Sequence, residues 1–475
     1  MNTILIRLLA LFCALLVVRP GDAEVMLHAF NWRYADVAAQ APLIKAQGYG
    51  SVLVSPPLRS EGSAWWARYQ PQDFRLIDNP LGNTEDFRAM SEQLAAVGLR
   101  LYADIVINHM ANEAGQRPDL AYPGSRVLAI YASNPAYFER QRLFGNLALN
   151  LYSGNEFHEA RCIQDYNNVF QVQNWRLCGG GGDPGLPDLG DGNVAVDAQR
   201  SYLQALKALG VSGFRIDAAK HMSLKQLARI FTADITDGML IFGELITGGG
   251  VGNIEYERFL APWLAQTALS AYDFPLHASL RQGFGFGGDL AVLADPVRVG
   301  RALPDDRAIT FTLTHDMPNN AGFRGLLLDP VDETLAYAYL LGRAGGIPMV
   351  YSDHDESGDG RWVDAYRRAD LAAMIEFHNR SADSDMHMLA SGPCFLLFRR
   401  GIIGLVGINK CGSAIDVDLD LSAEKLLGQR DYRDLLSGQL LRIDRPDYRL
   451  NLPPRSARMW MLQDDQLPWP AGVGK

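Results

Sequence analysis

Acidic side chains follow three of the short apolar runs in this chain of 475 residues. The run "SGFRIDA" includes Arg215 and Asp217, "MLIFGEL" includes Glu244, and "AITFTL" leads into His315 and Asp316. A strand that is buried on both faces is apolar, so an ionisable group at its end must contact solvent, form an ion pair or take part in chemistry. For Asp217 taken alone, a salt bridge to Arg215 explains the pattern as well as a chemical role does.

Three carboxylates that met at one place would raise one another's pKa, a cost that a purely structural site avoids. The chemistry of glycoside cleavage is one reason why a protein would bring carboxylates together at this cost. One carboxylate attacks or stabilises the sugar carbon, and one carboxylic acid protonates the departing oxygen. In a parallel barrel the carboxyl ends of all strands converge on a single mouth. The chemical interpretation therefore depends on whether the chain forms such a barrel.

Eight short apolar runs predict eight strands. They cover residues 25–30, 51–55, 99–107, 212–218, 239–245, 269–275, 308–313 and 347–352. Between several of them lie stretches such as 84–98 and 196–210, whose apolar residues recur with the spacing of an amphipathic helix. This alternation predicts the α/β class and, within it, a (β/α)8 TIM barrel with an outer ring of helices.

Two regions depart from the alternation. Roughly 85 residues separate the third and fourth runs, which is too long for a plain loop in a compact domain. We therefore predict an inserted subdomain at about 110–195, within a catalytic unit that spans 24–383. After residue 383 short β-rich runs follow one another without a helical pattern between them. They predict a C-terminal antiparallel β-sandwich over 384–475.

The first residues have the pattern of a targeting segment. "MNTILIRLLALFCALLVVRPGDA" contains an early basic residue, a short apolar run and a small-residue site. It predicts a secretory signal peptide over 1–23, cleaved near Ala23, rather than a membrane span. The alternative is a buried N-terminal strand or helix. We expect an exported protein, extracellular or periplasmic, that has no membrane attachment after cleavage.

Export gives meaning to the cysteines that follow the predicted leader. Four remain, in two sequence-local groups: Cys162, Cys178, Cys394 and Cys411. They are compatible with disulfides in an oxidising compartment, with the connectivity left open. A structural zinc site is not expected, because the closely spaced CxxC kind of ligand pair is missing from the sequence.

Charge and glycine patterning exclude two further classes of function. The formal net charge is −10, and no run of basic residues is interleaved with aromatic ones, so a nucleic-acid partner is not expected. The glycine clusters at 178–185 and 246–253 lack the spacing of phosphate-binding or dinucleotide-binding loops. We interpret both clusters as flexible loops.

Five short blocks occur in an order that resembles a known family. They are "DIVINH" at 104–109, "LPDL" at 186–189, "GFRIDAAKH" at 213–221, "GEL" at 243–245 and "THD" at 314–316. Together they resemble the α-amylase glycoside hydrolase family over nearly the whole chain. "WWARYQP" at 65–71 and "DYNNVFQVQNWRLCGG" at 165–180 are closer to animal-type α-amylases than to those of bacilli.

The resemblance implies a role for each of the three carboxylates. Asp217 would be the nucleophile, Glu244 the general acid and then base, and Asp316 the carboxylate that stabilises the transition state. We expect Arg215 to lower the pKa of Asp217 and keep it ionised. We also expect the apolar neighbours of Glu244 to keep it protonated until it acts as an acid.

Other positions would contact the sugars. The resemblance implies that Trp65 and Trp66 stack on pyranose faces and that Tyr69 forms a platform under the cleaved sugar. His109 and His315 would donate hydrogen bonds to the hydroxyls of that sugar. Lys220 and His221 would hold the leaving-group side, and Arg215 is counted among the substrate-binding residues. For the adjacent tryptophans, ordinary core or surface packing is the alternative.

The family also implies a calcium ion between the barrel and the inserted subdomain. The matching ligands are the side chains of Asn108 and Asp188 and the backbone carbonyl of His221, with a carbonyl near Gln173 as a further candidate. Oxygen ligands from separated segments suit a hard cation. Without the resemblance, Asn108 reads as a turn or capping residue.

One departure concerns chloride. In chloride-activated animal amylases an asparagine precedes the His-Asp pair and a basic residue lies near the eighth strand, whereas Thr314 and Met349 occupy these places here. We therefore expect chloride-independent activity. The family match implies a secreted, monomeric, endo-acting, retaining α-amylase that hydrolyses internal α-1,4-glucosidic bonds of starch and maltooligosaccharides. The alternatives are a related oligosaccharide glucosidase or glucanotransferase, and a catalytically inactive glucan-binding protein, which usually lacks one of the three carboxylates.

Overall fold

A closed barrel of eight parallel strands forms the centre of the molecule. The computed structural model describes residues 24–420 and 430–463, so the predicted signal peptide and its cleavage site lie outside the described residues. The barrel strands are β1 (Met26–Ala29), β2 (Ser51–Val54), β3 (Arg100–Ile105), β4 (Val211–Ile216), β5 (Leu240–Gly243), β6 (Ser270–Tyr272), β7 (Ala308–Phe311) and β8 (Ile347–Ser352). Each strand overlaps one of the eight predicted runs, and β8 pairs with β1 to close the barrel. The predicted TIM barrel is confirmed.

Helices surround the barrel and fill the long interval after β3. In chain order they are α1 (Tyr34–Ala46), α2 (Thr84–Ala96), α3 (Gly124–Ser133), α4 (Pro135–Gln141), α5 (Val169–Asn174), α6 (Asn193–Ala208), α7 (Leu224–Ile230), α8 (Ala233–Thr236), α9 (Ala261–Gln266), α10 (Phe274–Phe284), α11 (Asp316–Asn319), α12 (Pro330–Gly342) and α13 (Ala369–Arg380). The start of α2 shows why such stretches become helical. The Asn83 side chain accepts hydrogen bonds from the amides of Glu85 and Asp86, which satisfies donors that the helix itself leaves open.

The barrel strands are buried on both faces, since the helices cover the outside and side chains fill the inside. All four residues of β1, β2 and β7 are buried. This burial explains why the strands read as apolar runs in the sequence, and it leaves polar side chains at the strand ends as the exceptions.

The long interval between β3 and β4 contains α3, α4 and α5 together with extended segments. A disulfide joins Cys162 to Cys178, with their Cα atoms 5.6 Å apart. It closes the segment that carries α5, and the carbonyl of Val172 in α5 lies 3.0 Å from Nδ1 of His221, just after β4. The inserted region is thus attached to the barrel beside the end of β4.

The C-terminal strands form two antiparallel sheets. The strands are β9 (Met386–Gly392), β10 (Phe395–Arg400), β11 (Gly404–Asn409), β12 (Ile415–Asp420), β13 (Arg430–Asp434), β14 (Leu440–Ile443), β15 (Asp447–Leu452) and β16 (Ser456–Leu462). One sheet has the order β9-β10-β11-β16-β13-β14, and β12 pairs with β15. A second apolar core, including Leu397, Val417 and Trp460, lies between them. The predicted antiparallel sandwich is therefore present.

A second disulfide lies within this sandwich, and a buried lysine beside it connects the sandwich to the barrel. Cys394 and Cys411 are bonded, with their Cα atoms 5.4 Å apart. Next to Cys411, the Nζ atom of Lys410 donates to the carbonyls of Gly283 and Gly288 at 2.6 and 2.5 Å, at the end of α10. The predicted disulfides are confirmed, and the structure gives the connectivity that the sequence left open. Among the described residues, no helix is long and apolar enough to cross a membrane.

Candidate active site

Backbone pairing brings the predicted carboxylates to one level of the barrel mouth. The amide of Asp217 donates to the carbonyl of Ile105 at 3.0 Å, and the amide of Glu244 donates to the carbonyl of Ile216 at 3.0 Å. Each residue therefore continues the parallel ladder one step beyond its strand. Asp316 follows β7 at the same end of the barrel. The strand ends thus place the three carboxylates around a common opening, as the sequence predicts.

A single buried guanidinium occupies the centre of this opening. Nη1 of Arg215 donates to both carboxylate oxygens of Asp104 at 2.8 and 2.9 Å and to Oδ1 of Asp217 at 2.8 Å. Its Nη2 forms an ion pair with Oε1 of Glu244. The salt bridge between Asp217 and Arg215 therefore exists, and it is one part of a larger cluster. Asp104 was not among the predicted site residues, although "DIVINH" begins with it.

Burial raises the pKa of every carboxyl group in the cluster. The pKa of Asp217 and that of Glu244 are raised by burial, and Arg215 offsets this in part. For Asp217 this net direction is opposite to the sequence expectation, because desolvation outweighs the attraction of the guanidinium. The pKa of Asp104 is raised to about 7 by burial. Burial, followed by the charge of Glu244, raises the pKa of Asp316 to about 8.

Three carboxyl groups thus contact one guanidinium, and Asp316 lies close enough to be influenced by its charge. With a pKa of about 7 for Asp104 and about 8 for Asp316, the cluster favours a retained proton near neutral pH. A carboxylic acid that stays protonated at that pH can act as a general acid. The amide of Ala218 donates to Oε2 of Glu244 at 3.2 Å and holds that carboxyl group between β4 and β5. The arrangement supplies both an acid and a carboxylate within reach of one guanidinium.

Stacked rings form the wall on the side of β7. The ring of His315 lies parallel to that of Tyr69, with centroids 4.9 Å apart, and parallel to that of Phe30 at 4.6 Å. Trp65 contacts the edge of His315 at 6.0 Å. Nε2 of His315 is 3.8 Å from Oδ2 of Asp316, whose side chain is 22% exposed. This stack fixes the orientation of His315 beside Asp316, which is the most exposed of the three predicted carboxylates.

Two rings beside His315 were missed by the sequence reasoning. Phe30 stacks on His315, and His28 contacts the edge of the same ring at 5.5 Å. Both belong to the run "VMLHAF" and lie two positions apart, so they point to the same side of β1. That alternation was a usable signal, because a histidine in an otherwise apolar buried strand is unusual.

The remaining predicted substrate residues lie around the same mouth. The hydroxyl of Tyr69 donates to Oδ2 of Asp104 at 2.8 Å, and Nε2 of His109 is 3.1 Å from the carbonyl of Tyr69. Trp66 is 54% exposed at the rim. Nζ of Lys220 pairs with Oε1 of Glu255 at 2.6 Å, so this basic group is held by the segment that follows the glycine cluster after β5.

The predicted calcium ligands come from the segments that join barrel and insertion. Asp188 is buried, the amide of Leu189 donates to the carbonyl of Asn108 at 2.9 Å, and His221 contacts α5. Burial raises the pKa of Asp188 to about 6, and Nδ1 of His158 lies 2.5 Å from its Oδ2.

This donor set fits a hard cation. It offers a buried carboxylate, an amide oxygen and main-chain carbonyls, which are the ligands that calcium prefers. In the described part of the chain no group of three or more His, Cys, Asp or Glu side chains is arranged to hold a metal ion. A site here would therefore depend on the amide and the carbonyls as much as on Asp188.

A TIM barrel that gathers carboxylates around one arginine at the carboxyl ends of its strands has the architecture of a glycoside hydrolase. The family model described as "Alpha amylase, catalytic domain" matches residues 37–245. The chain is 53% identical over 425 residues to the alpha-amylase of Aeromonas hydrophila. This alignment covers 89% of this chain and 92% of that protein. The chain therefore belongs to the α-amylase family, as its sequence blocks indicated.

More distant relatives include animal proteins. An alpha-amylase-related protein of Drosophila orena is 28% identical over 466 residues, covering 89% of this chain and 87% of that one. The crystal structure of alpha-amylase I from Eisenia fetida has a TM-score of 0.69 and 22% identity, with 92% of this chain and 95% of that chain covered. The fold is thus shared along almost the full length of both molecules.

Proposed function

We propose that this protein is an endo-acting, retaining α-amylase that hydrolyses internal α-1,4-glucosidic bonds of starch. The observation that carries the proposal is the cluster in which Arg215 binds both Asp217 and Glu244 beside Asp316. Membership of the α-amylase family and 53% identity to a bacterial alpha-amylase support the substrate class. The cluster has all the groups that a retaining mechanism requires.

In this mechanism Asp217 attacks the anomeric carbon while Glu244 gives its proton to the departing glycosidic oxygen. The bond from the sugar to Asp217 is then broken by water, whose proton returns to Glu244. Arg215 holds both carboxyl groups and limits their movement. Asp316 and His315 would contact the hydroxyls of the sugar at the cleavage point, and the rings of Tyr69 and Trp65 would support its face.

Time-resolved product analysis on soluble starch tests the proposal. We expect a rapid fall in chain length with a mixture of maltooligosaccharides, and NMR should show that the first products carry the α anomer. Release of glucose alone would favour an oligosaccharide glucosidase. Cyclic products or transfer to added acceptor sugars would favour a glucanotransferase. An absence of any product would favour a glucan-binding protein.

We also propose a calcium ion held by the side chains of Asn108 and Asp188 and the carbonyl of His221, with a carbonyl near Gln173 as a further candidate ligand. Such an ion would attach the inserted region to the end of β4 and contribute binding energy to folding. The buried carboxylate of Asp188 supports the assignment.

Export with removal of residues 1–23 is likewise a proposal, as is a monomeric state. The two disulfides support export, since such bonds persist in oxidising compartments. Size-exclusion chromatography with light scattering and N-terminal sequencing of the mature protein would test both points.

Chloride-independent activity is expected from the residues at the two positions where this chain differs from chloride-activated amylases. Thr314 and Met349 are both buried, and the hydroxyl of Tyr272 lies 3.5 Å from the sulfur of Met349. Neither side chain carries a charge that would bind an anion near Arg215. Adding chloride to salt-depleted enzyme should leave the turnover of starch unchanged, whereas a several-fold gain would contradict the proposal.

A further inference from the structure

A buried tyrosine near the end of β8 lies next to the turn that carries His315 and Asp316. This residue, Tyr351, is fully buried and was not among the residues that the sequence predicted to act at the mouth. The centroid of its ring is 5.8 Å from that of Phe30, and its hydroxyl accepts a hydrogen bond from Asn319 at 3.3 Å. Phe30 and Asn319 each contact His315. Tyr351 therefore supports the turn through two neighbours.

The first support is aromatic. Phe30 stacks on the ring of His315 with the centroids 4.6 Å apart and the planes at 16°. The ring of Tyr351 packs against Phe30 at an angle of 36°. A close-packed interior leaves few alternative positions for a ring, so these contacts restrict the imidazole. They depend on the ring of Tyr351 and not on its hydroxyl.

The second support is a chain of hydrogen bonds. Asn319 ends the short helix α11, which begins at Asp316. Its Nδ2 donates to the carbonyl of His315 at 2.8 Å and to the hydroxyl of Tyr351 at 3.3 Å. That hydroxyl donates in turn to Oδ2 of Asp353 at 3.0 Å. Asn319, Tyr351 and Asp353 thus form a relay from the main chain of the mouth to a buried carboxylate just after β8.

Asp353 gives the relay a fixed end. Its side chain is buried, and its Oδ1 accepts from the amide of Asp355 at 3.0 Å. Its own amide donates to the carbonyl of Trp362 at 3.3 Å, which holds it at the base of the loop after β8. A buried carboxylate retains its donors, because an acceptor without a donor is costly away from water.

A second bridge joins the same two segments. Nε of Arg324 donates to the carbonyl of Pro318, and its Nη2 donates to the carbonyl of Ser357, both at 3.0 Å. Pro318 lies inside α11, and Ser357 lies in the loop after β8. The turn that carries Asp316 is therefore bound to that loop at two points, so its position depends on residues outside the mouth.

Asp316 is held differently from the other two carboxylates of the proposed mechanism. Arg215 pairs directly with Asp217 and Glu244. The side chain of Asp316 is 22% exposed, with Nε2 of His315 at 3.8 Å. A shift of the main chain at 315–316 would therefore move this carboxylate relative to the other two. A displacement of about 1 Å can lower a rate by about 100-fold.

We propose that Tyr351 is a positioning residue for hydrolysis, whose hydroxyl acts through Asn319 to fix the main chain at His315 and with it the carboxylate of Asp316. The reaction rests on the proposed function, whereas the relay rests on the contacts of the structure. The competing explanation is that the bond to Asp353 only holds the loop after β8. Positioning acts on the transition state, so its loss lowers kcat and kcat/KM equally and leaves KM unchanged.

Tyr351→Phe tests the hydroxyl alone, because the contacts of the ring remain. We expect kcat for starch to fall about tenfold or more at unchanged KM. Tyr339→Phe is the matched control. Tyr339 is buried in α12, its hydroxyl donates to the carbonyl of Leu293 at 2.9 Å, and its ring contacts Phe398 of the sandwich. This variant also loses a buried hydrogen bond and should keep its turnover.

Substitutions at Asp353 separate the relay from the loop. Asp353→Ala should lower kcat as much as Tyr351→Phe does. The double variant should be no slower than either single variant, because the two residues act in one chain. Asp353→Asn keeps an oxygen that accepts from Tyr351, so it should recover most of the turnover that Asp353→Ala loses. Losses that add in the double variant would contradict the relay.

A crystal structure of Tyr351→Phe gives a readout that does not depend on starch. The turn at 316–319 should be displaced or poorly ordered in this variant and unchanged in Tyr339→Phe. An unmoved turn, or equal turnover in the two variants, would overturn the inference. Failure of the proposed function looks different: the unaltered enzyme then leaves starch intact, and displacement of the turn still supports the relay.

Discussion

Two buried arginines of this molecule have opposite surroundings. Arg75 lies beneath the inserted region and meets one carboxylate, Asp73, through Nε and Nη2 at 2.9 and 2.8 Å. Tyr131 donates to the same carboxylate at 3.0 Å, and the carbonyl of Leu149 accepts from Nη1 of Arg75 at 2.8 Å. This pair is balanced in charge. Arg215 instead faces three carboxylates directly.

The difference separates a group that holds structure from one that does chemistry. A balanced and fully bonded pair costs little once buried, but it fails if either partner is lost. Burial, together with an excess of carboxylates, raises the pKa values in the Arg215 cluster and keeps a proton available, which costs stability and serves proton transfer. Substitutions in the two clusters should therefore have contrasting effects.

The largest effect on turnover is expected at the mouth. Glu244→Gln removes the acid that protonates the leaving oxygen, so starch hydrolysis should fall by about 10³-fold or more. Its melting temperature should change little or rise, because a source of repulsion is lost. Steady-state rates and thermal unfolding check both parts. Turnover close to that of the unaltered enzyme would contradict the assignment.

The largest effect on stability is expected at the balanced pair. Arg75→Met leaves Asp73 buried without its cation and should lower the free energy of unfolding by about 3–5 kcal/mol. The folded fraction should retain its turnover. Arg298→Met, which breaks an exposed pair, is the control and should cost about 0–1 kcal/mol. Urea unfolding measures both. Equal losses in the two variants would mean that the Arg75 pair has no special structural role.

Removal of calcium should act on the border between insertion and barrel. At a calcium concentration of 100 times Kd, a bound ion contributes about 2.7 kcal/mol to stability. A chelator should therefore lower the melting temperature, and calcium should restore it. Asp188→Asn should melt at a reduced temperature that the chelator no longer changes. A melting temperature that is insensitive to chelator in the unaltered enzyme would contradict the site.

The change that is smallest over any one pH unit is the pH dependence that the mouth adds to stability. With its pKa at about 8, against 3.8 when unperturbed, Asp316 keeps a proton in the folded state that the unfolded chain has lost. Its contribution to stability is complete below pH 4 and is lost as the pH rises towards 8, by at most about 1.4 kcal/mol per pH unit. Asp316→Asn cannot ionise, so its unfolding free energy should vary less over that range. An identical pH profile in both proteins would contradict the raised pKa.

Much of this arrangement was readable from the sequence. Eight apolar runs gave the barrel because parallel strands are buried on both faces, and the acidic residues after β4, β5 and β7 were therefore predicted to meet. The sulfur pairs in the insertion and the sandwich were expected as local pairs. The family blocks then assigned roles to individual residues.

Other features depend on distances that no pattern reports. The net rise in the pKa of Asp217 reflects how completely the fold removes water, which outweighs the neighbouring Arg215. The use of Lys220 to hold Glu255 depends on where a separate segment lies. The stack of Phe30 on His315 joins residues 285 positions apart in the chain, and only closure of the barrel brings them together.

Lys410 gives the C-terminal sandwich a role in the shape of the barrel rim. Its ammonium group binds the carbonyls of Gly283 and Gly288 at one end of α10, while Ala278 and Gln282 of that helix line a surface groove beside the turn at 248–250. One end of the helix is thus fixed by the C-terminal sandwich, and one of its sides forms part of the surface next to the mouth. Any redesign that shortens the sandwich would remove this attachment, so the first part to lose its position would be a surface next to the active site.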